Sequence, residues 1–176
     1  MDKFKANPFN HSNKLIKNDD IINIMNKLNI NDFKVNNISL YQAAFSHKSY
    51  CNMMDYDEFT NDNNLLPLRD KSYEEMEFLG DAILESVISK YLYDRYYKLY
   101  SQNEGFLSRL RTRIVCGENL ARLSRELNFN KYLIISNHIE VNCDGRNNEN
   151  ILEDTFEAFL GAIFLDNNYD IVSNII

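Results

Sequence analysis

Ser72-Tyr73-Glu74-Glu75-Met76-Glu77-Phe78-Leu79-Gly80-Asp81-Ala82-Ile83-Leu84, residues 72–84, is the stretch on which the reading of the whole chain turns. Ser72 followed three residues later by Glu75 is a capping-box signature, in which the serine oxygen accepts from the Glu75 amide while the carboxylate reaches back. A long helix is expected to start there. Met76, Leu79, Ile83, Val87 and Tyr91 recur every three or four residues, an apolar stripe running to about Tyr97. Glu74, Glu77 and Asp81 stand at i, i+3 and i+7, so all three project from one side of that helix. Like charges stacked in this way destabilise a helix, and these are embedded in the most apolar part of the chain. Carboxylates buried without partners cost several kcal/mol each, so this face requires cations.

Composition agrees with helices. Only 5 Gly and 2 Pro in 176 residues leave few turns, which favours few, long elements over a sandwich or barrel. A hydrophobic fraction of 44%, with 11 Phe and 11 Tyr, is enough to build one core, so the expected class is all-α in a single domain. The formal net charge of -7 argues, as a bulk property, against a nucleic-acid binder. Cys51, Cys116 and Cys143 are odd in number and widely spaced, which points to a reducing compartment, and His11, His47 and His138 complete no zinc pattern. The longest apolar run, Phe159 to Leu165, is far shorter than the roughly 20 residues of a membrane span, and the N-terminus lacks the apolar segment of a secretory signal. The expectation is a soluble intracellular protein with no membrane partner; cytoplasm and nucleus are not distinguished.

On the N-terminal side, residues 1–18 are polar and aperiodic and read as a flexible leader. Asp19 opens a helix carrying Ile21, Ile22, Met25 and Leu28, and Ser39 caps a second with Leu40, Ala43, Ala44 and His47. Residues 51–71, acidic and Asn-rich with Pro67 near the end, read as a loop insertion. On the C-terminal side, Ser101 with Glu104 repeats the capping signature for a helix through Leu107, Leu110 and Ile114, and Gly117 interrupts it before Leu120, Leu123 and Leu127. A turn cluster at 144–148 is followed by Asn150 and Glu153, capping a long helix with Phe156, Phe159, Leu160 and Ile163. Tyr169 to Ile176 reads as two turns of one more helix.

That penultimate helix carries a second acidic pair, Asp154 and Glu157, again flanked by apolar residues. Two helices that each present carboxylates from an apolar surface would form a cage of hard oxygen donors if packed face to face. Such a cage suits Mg²⁺, with Mn²⁺ able to substitute, and the absence of nearby His or Cys argues against zinc. Gly80 and Gly161 sit beside these acids, where a missing side chain lets helices approach closely.

Residues 74–84 resemble the signature of the ribonuclease III endonuclease domain, Glu-x-hydrophobic-Glu-Phe-Leu-Gly-Asp. Three further blocks follow in register: Phe45-Ser46-His47-Lys48-Ser49-Tyr50, then Glu104-Gly105-Phe106-Leu107-Ser108 with Arg109 and Arg111, then 154–162. Together they span roughly residues 20–176, and so imply a catalytic domain over 19–176. The resemblance implies an all-α homodimer that hydrolyses double-stranded RNA with a divalent metal, leaving 5′-phosphate and 3′-hydroxyl ends and short 3′ overhangs. Glu77, Asp81, Asp154 and Glu157 match the family's four catalytic, metal-binding carboxylates. Glu74 matches an acidic position at the site rim, Glu104 one that assists RNA contact or catalysis, and Phe78 an aromatic that packs across the dimer interface. Arg109 and Arg111 match basic positions suited to phosphate contact. The family usually has Asn at the position of Tyr73 and Arg at that of Glu75. His47 reads as a structural residue and not a catalyst. No double-stranded-RNA-binding domain is expected within these 176 residues. A non-catalytic duplex-RNA-binding scaffold on the same fold is the alternative, disfavoured because all four acids are kept.

Charge along the chain qualifies its sum. Residues 95–131 hold eight Lys and Arg against three Glu, a net +5, and are the electropositive candidate for phosphate contact.

Overall fold

The computed structural model describes residues 6–52, 56–61 and 64–176. In these the chain forms α1 (Asn18–Lys27), α2 (Ile38–Ala44), α3 (Glu74–Leu92), α4 (Lys98–Tyr100), α5 (Glu104–Ile114), α6 (Gly117–Glu126), α7 (Asn137–Asn142), α8 (Glu149–Asp166) and α9 (Tyr169–Ile175). A π-helical turn, Tyr93–Tyr97, joins α3 to α4. Among the described residues the only β pairing is two isolated bridges, Ser46 with Ile134 and Cys51 with Arg69, so the all-α expectation holds. No helix among them is long and apolar enough to cross a membrane.

The core is organised around α8. Ile151, Leu152, Phe156, Phe159, Leu160 and Ile163 are all buried, and they leave only a narrow strip of that helix for polar groups. Phe159 meets Phe45 and Phe129 edge-on at ring-centroid distances of 6.0 and 4.9 Å, an arrangement that aligns the positive ring edge with the negative face. α3 lies across α8 with Met76, Ile83, Leu84, Val87, Ile88 and Leu92 buried. The apolar stripe ends there, short of the expected Tyr97. Tyr91, still within α3, is 54% exposed, and Tyr97, at the end of the π turn, is 48% exposed.

Helix starts differ from the sequence expectation in a consistent way. Tyr73, not Ser72, is the N-cap of α3; Ser72 Oγ donates to Glu74 Oε2 at 3.0 Å, so no Ser72–Glu75 capping box forms. Asn37 caps α2 in place of Ser39, Asn103 caps α5 in place of Ser101, and Asn148 caps α8 in place of Asn150. Each Asn side chain accepts from a backbone N–H of the first turn, as this short amide does well. Ser101 instead takes a left-handed conformation, φ 52, that ends α4. Four Asn caps, counting Asn168 on α9, give part of the Asn-rich composition a structural use. α7, not anticipated in the sequence, is a short helix capped by Ser136.

Residues 6–17 form no helix, yet they are not a loose leader. Pro8, Asn10 and Ile16 are buried, and the Asn10 and Asn13 amides both donate to the Ile135 carbonyl, at 3.0 and 2.9 Å. Arg146 closes this network: it donates to the carbonyls of Asn130 and Leu133 and to Asn13, and pairs with Glu140 at 3.1 Å. Residues 1–5 of the expected leader lie outside the described residues. In the 51–71 insertion the base is closed by backbone bonds, Asn52 N–H to the Arg69 carbonyl at 2.8 Å and Arg69 N–H to the Tyr50 carbonyl at 2.9 Å.

Candidate active site

α3 and α8 cross at two glycines. A Cβ placed on Gly80 would stand 1.8 Å from the Glu157 carbonyl oxygen, and one on Gly161 would stand 2.4 Å from that of Met76. The backbones touch, and no other residue type fits at either position. Glu77 and Asp81 flank Gly80 on α3, and Glu157 sits one turn before Gly161 on α8, so the crossing itself brings the acids to face one another.

The electrostatics record that convergence. The Glu157 carboxyl is pushed up to about 8, first by burial and then by Asp81, Glu153, Glu77 and Asp154. Burial likewise raises Glu77, reinforced by Asp154 and Glu74, and raises Asp81, reinforced by Glu85. Asp154 is raised by burial against the opposing pull of a Tyr73 hydrogen bond and of Lys48. Glu74, more exposed, goes the other way: Lys48 Nζ donates to it at 3.0 Å and holds its carboxyl below the usual range. Lys48 is the cation that faces this cluster, attracted by Glu74, Asp154 and Glu77. Both partners of its ion pair are about half exposed, so the pair contributes little to stability.

The structure thus unites Glu74, Glu77, Asp81, Asp154 and Glu157. Two further residues belong with them that the sequence reading missed as site groups. Glu153, one turn before Glu157 on the same face of α8, lies so close to Gly117 at the start of α6 that a Cβ there would stand 2.3 Å from its Oε2. Its i, i+4 spacing to Glu157 was the available signal; assigning it to a capping box concealed it. Tyr73 donates its hydroxyl to Asp154 Oδ2 at 3.0 Å, and burial together with that carboxylate keeps the phenol protonated.

The remaining expected site residues lie elsewhere. Glu104 accepts from Ser108 Oγ and lines, with Ser89, Tyr97, Leu107 and Arg111, a groove of about 400 Å³. Arg111 is half-buried and donates to Ser89 Oγ at 2.9 Å, which fastens α5 to α3. Arg109 is exposed, beside Phe106, Leu110 and Arg113. Phe78 is 81% exposed, its ring offered to solvent from α3. His47 is buried and pushed down to about 4, chiefly by burial, and its Nδ1 accepts from the Ser49 N–H at 3.1 Å; it is a neutral, structural histidine.

The facing acids form an open arrangement. Among the described residues no three His, Cys, Asp or Glu side chains are grouped so as to hold a metal ion where they stand. Their donor chemistry, hard carboxylate oxygen throughout, is that of a Mg²⁺ or Mn²⁺ site.

Residues 37–176 match the family described as ribonuclease-III-like, and the chain belongs to that family. It is 44% identical over 143 residues to Ribonuclease 3 of Lactobacillus acidophilus, which covers 81% of this chain and 56% of that protein. Against Ribonuclease 3 of Streptococcus gordonii the identity is 40% over 139 residues, 79% of this chain and 53% of that protein. The chain therefore spans about half the length of the curated relatives it matches. The nuclease domain of ribonuclease III from Campylobacter jejuni, in a structure describing flexibility in a region involved in dimer formation, superposes with a TM-score of 0.69 at 28% identity, over 88% of this chain and 92% of that one.

Proposed function

We propose that this chain is the catalytic domain of an endoribonuclease that hydrolyses double-stranded RNA with a divalent metal. The observation that carries the reading is the facing of Glu77 and Asp81 with Asp154 and Glu157 across the Gly80–Gly161 crossing, with Glu157 raised to about 8 by burial and by the neighbouring carboxylates. A cation entering between the helices would relieve both the burial and the mutual repulsion of these acids. Glu77, Asp154 and Glu157 are the first-choice ligands, with Asp81 completing the set directly or through water, after inward rotation of side chains that now stand apart. When bound, Mg²⁺, or Mn²⁺ in its place, supplies Lewis-acid polarisation of the phosphate and eases deprotonation of the attacking water. Water oxygen bonds to phosphorus as the P–O3′ bond breaks, and the proton budget closes on the departing 3′ oxygen. The ends are then 5′-phosphate and 3′-hydroxyl.

Duplex RNA of A form displays phosphates and 2′-hydroxyls across a shallow groove, so exposed basic residues such as Arg109 recognise shape without reading sequence. The working unit is a homodimer. Phe78, Ala82, Glu85 and Ser89 share one face of α3, which runs from an exposed aromatic ring to an open apolar groove, a pattern suited to a second copy docking ring into groove.

The test is cleavage of a perfect RNA duplex in Mg²⁺, set beside single-stranded RNA and an RNA–DNA hybrid. Cutting of the duplex alone, lost by at least about 100-fold in Glu157→Gln with the fold retained, is the expected result. Undiminished cutting by Glu157→Gln removes the proposed site. Duplex binding without turnover in either Mg²⁺ or Mn²⁺ indicates a scaffold.

A further inference from the structure

We propose that Tyr73 is a positioning residue for the metal site: its hydroxyl fixes Asp154 in the orientation that presents the second carboxylate oxygen to the divalent cation. This rests on the function proposed above. Tyr73 is only 2% exposed and is held at three points. Its backbone N–H donates to the Ser46 carbonyl at 2.9 Å, its ring packs against His47 at 5.7 Å and 61°, and its hydroxyl reaches Asp154 Oδ2 at 3.0 Å. The segment behind it is itself locked, since the His47 N–H donates to the Ile134 carbonyl at 2.9 Å and Ser49 Oγ accepts from the Ser136 N–H at 3.0 Å. A phenol so constrained has one place to put its proton.

Asp154 gains from this in a way its neighbours do not. Among the described residues none donates a hydrogen bond to the carboxylates of Glu77, Asp81, Glu153 or Glu157, whereas Asp154 has one oxygen tied to a buried donor. A ligand whose far oxygen is hydrogen-bonded is oriented before the metal arrives, and removal of such outer partners typically costs about 10–100-fold in metal affinity or activity. Ser46 and His47 build the wall against which Tyr73 stands.

The test is calorimetric titration of the full chain with Mn²⁺ alone, together with thermal melting in EDTA, for wild type, Tyr73→Phe and Tyr50→Phe. Tyr73→Phe keeps the ring and its packing. It is expected to weaken Mn²⁺ binding about tenfold, with a melting temperature in EDTA lowered no more than in Tyr50→Phe, which also loses a buried hydroxyl, and to raise the Mn²⁺ needed for half-maximal duplex cleavage while the rate at saturation is kept. Tyr50→Phe loses a buried hydroxyl that donates to the Leu66 carbonyl, away from the acids, and is expected to leave Mn²⁺ affinity intact. Wild-type affinity in Tyr73→Phe overturns the positioning role, as does an equal loss in Tyr50→Phe, which would mark general loosening. If wild type itself binds no Mn²⁺, the proposed function falls and this inference with it.

Discussion

The α3–α8 crossing and the α5–α6 stretch carry opposite charges, and what those charges meet differs just as sharply. At the crossing, six acids converge with Lys48 as the cation beside them, and burial plus repulsion raises five of their carboxyls. In the basic stretch, residues 95–131, half of the eight cations are already engaged. Arg111 donates to Ser89, Arg122 pairs with Glu126, Arg125 reaches the Asn147 carbonyl and Glu149, and Lys98 pairs with Asp94. Net charge by segment thus overstates the basic surface and understates the acidic one. Unsatisfied charge marks a place where a ligand is needed, and satisfied charge marks a place where the fold has used it.

The largest effect is expected where the crossing is forced apart. Gly80→Ala puts a methyl onto the Glu157 carbonyl oxygen and should destabilise the fold by about 3 kcal/mol in urea titration, despite alanine's better helix propensity. Gly161→Ala, with 2.4 Å in place of 1.8 Å, should cost less. Equal stability in Gly80→Ala would mean the two backbones do not touch.

A smaller, pH-dependent effect follows from Glu157. Its carboxyl is raised in the folded protein, from the usual carboxylate range to about 8, so the neutral form is the favoured one. Stability from this group is fully present below the unfolded value and is lost as pH rises through the folded one. In EDTA the melting temperature should fall between about pH 5 and pH 8, and Glu157→Gln should flatten that slope and melt higher at pH 8. A profile identical in the two proteins would show that the carboxylates do not repel.

The finest test separates two arginines of one helix. Arg109→Ala is expected to weaken duplex-RNA binding and lower the salt slope by about one, with stability unchanged. Arg111→Ala is expected to cost about 1 kcal/mol of stability through the lost Ser89 bond and to leave the salt slope alone. Anisotropy titrations over a salt series, with melting curves alongside, read both. Reversal of the pair would move the phosphate contact onto Arg111.

How much of this was legible in advance varies with the interaction. Helical periodicity gave α1, α3, α5, α6, α8 and α9, because amphipathic spacing is a local property that survives folding. Helix starts slid by one or two residues, because Ser-x-x-Glu and an adjacent Asn compete for the same amides and local sequence does not say which is closer. Tyr73 and Glu153 escaped for a related reason: each gains its meaning from a residue far along the chain, Asp154 for the first and Gly117 for the second.

The sequence by itself determined an all-α chain, two acid-bearing helices and a glycine in each beside the acids, since spacing and residue type fix which face of a helix a side chain leaves. Only the tertiary structure decided that those glycines touch, that Arg111, Arg122 and Arg125 are engaged within the fold, and that residues 6–17 pack onto Ile135. These depend on contacts between segments as much as 133 residues apart, such as Asn13 with Arg146, which no local pattern encodes.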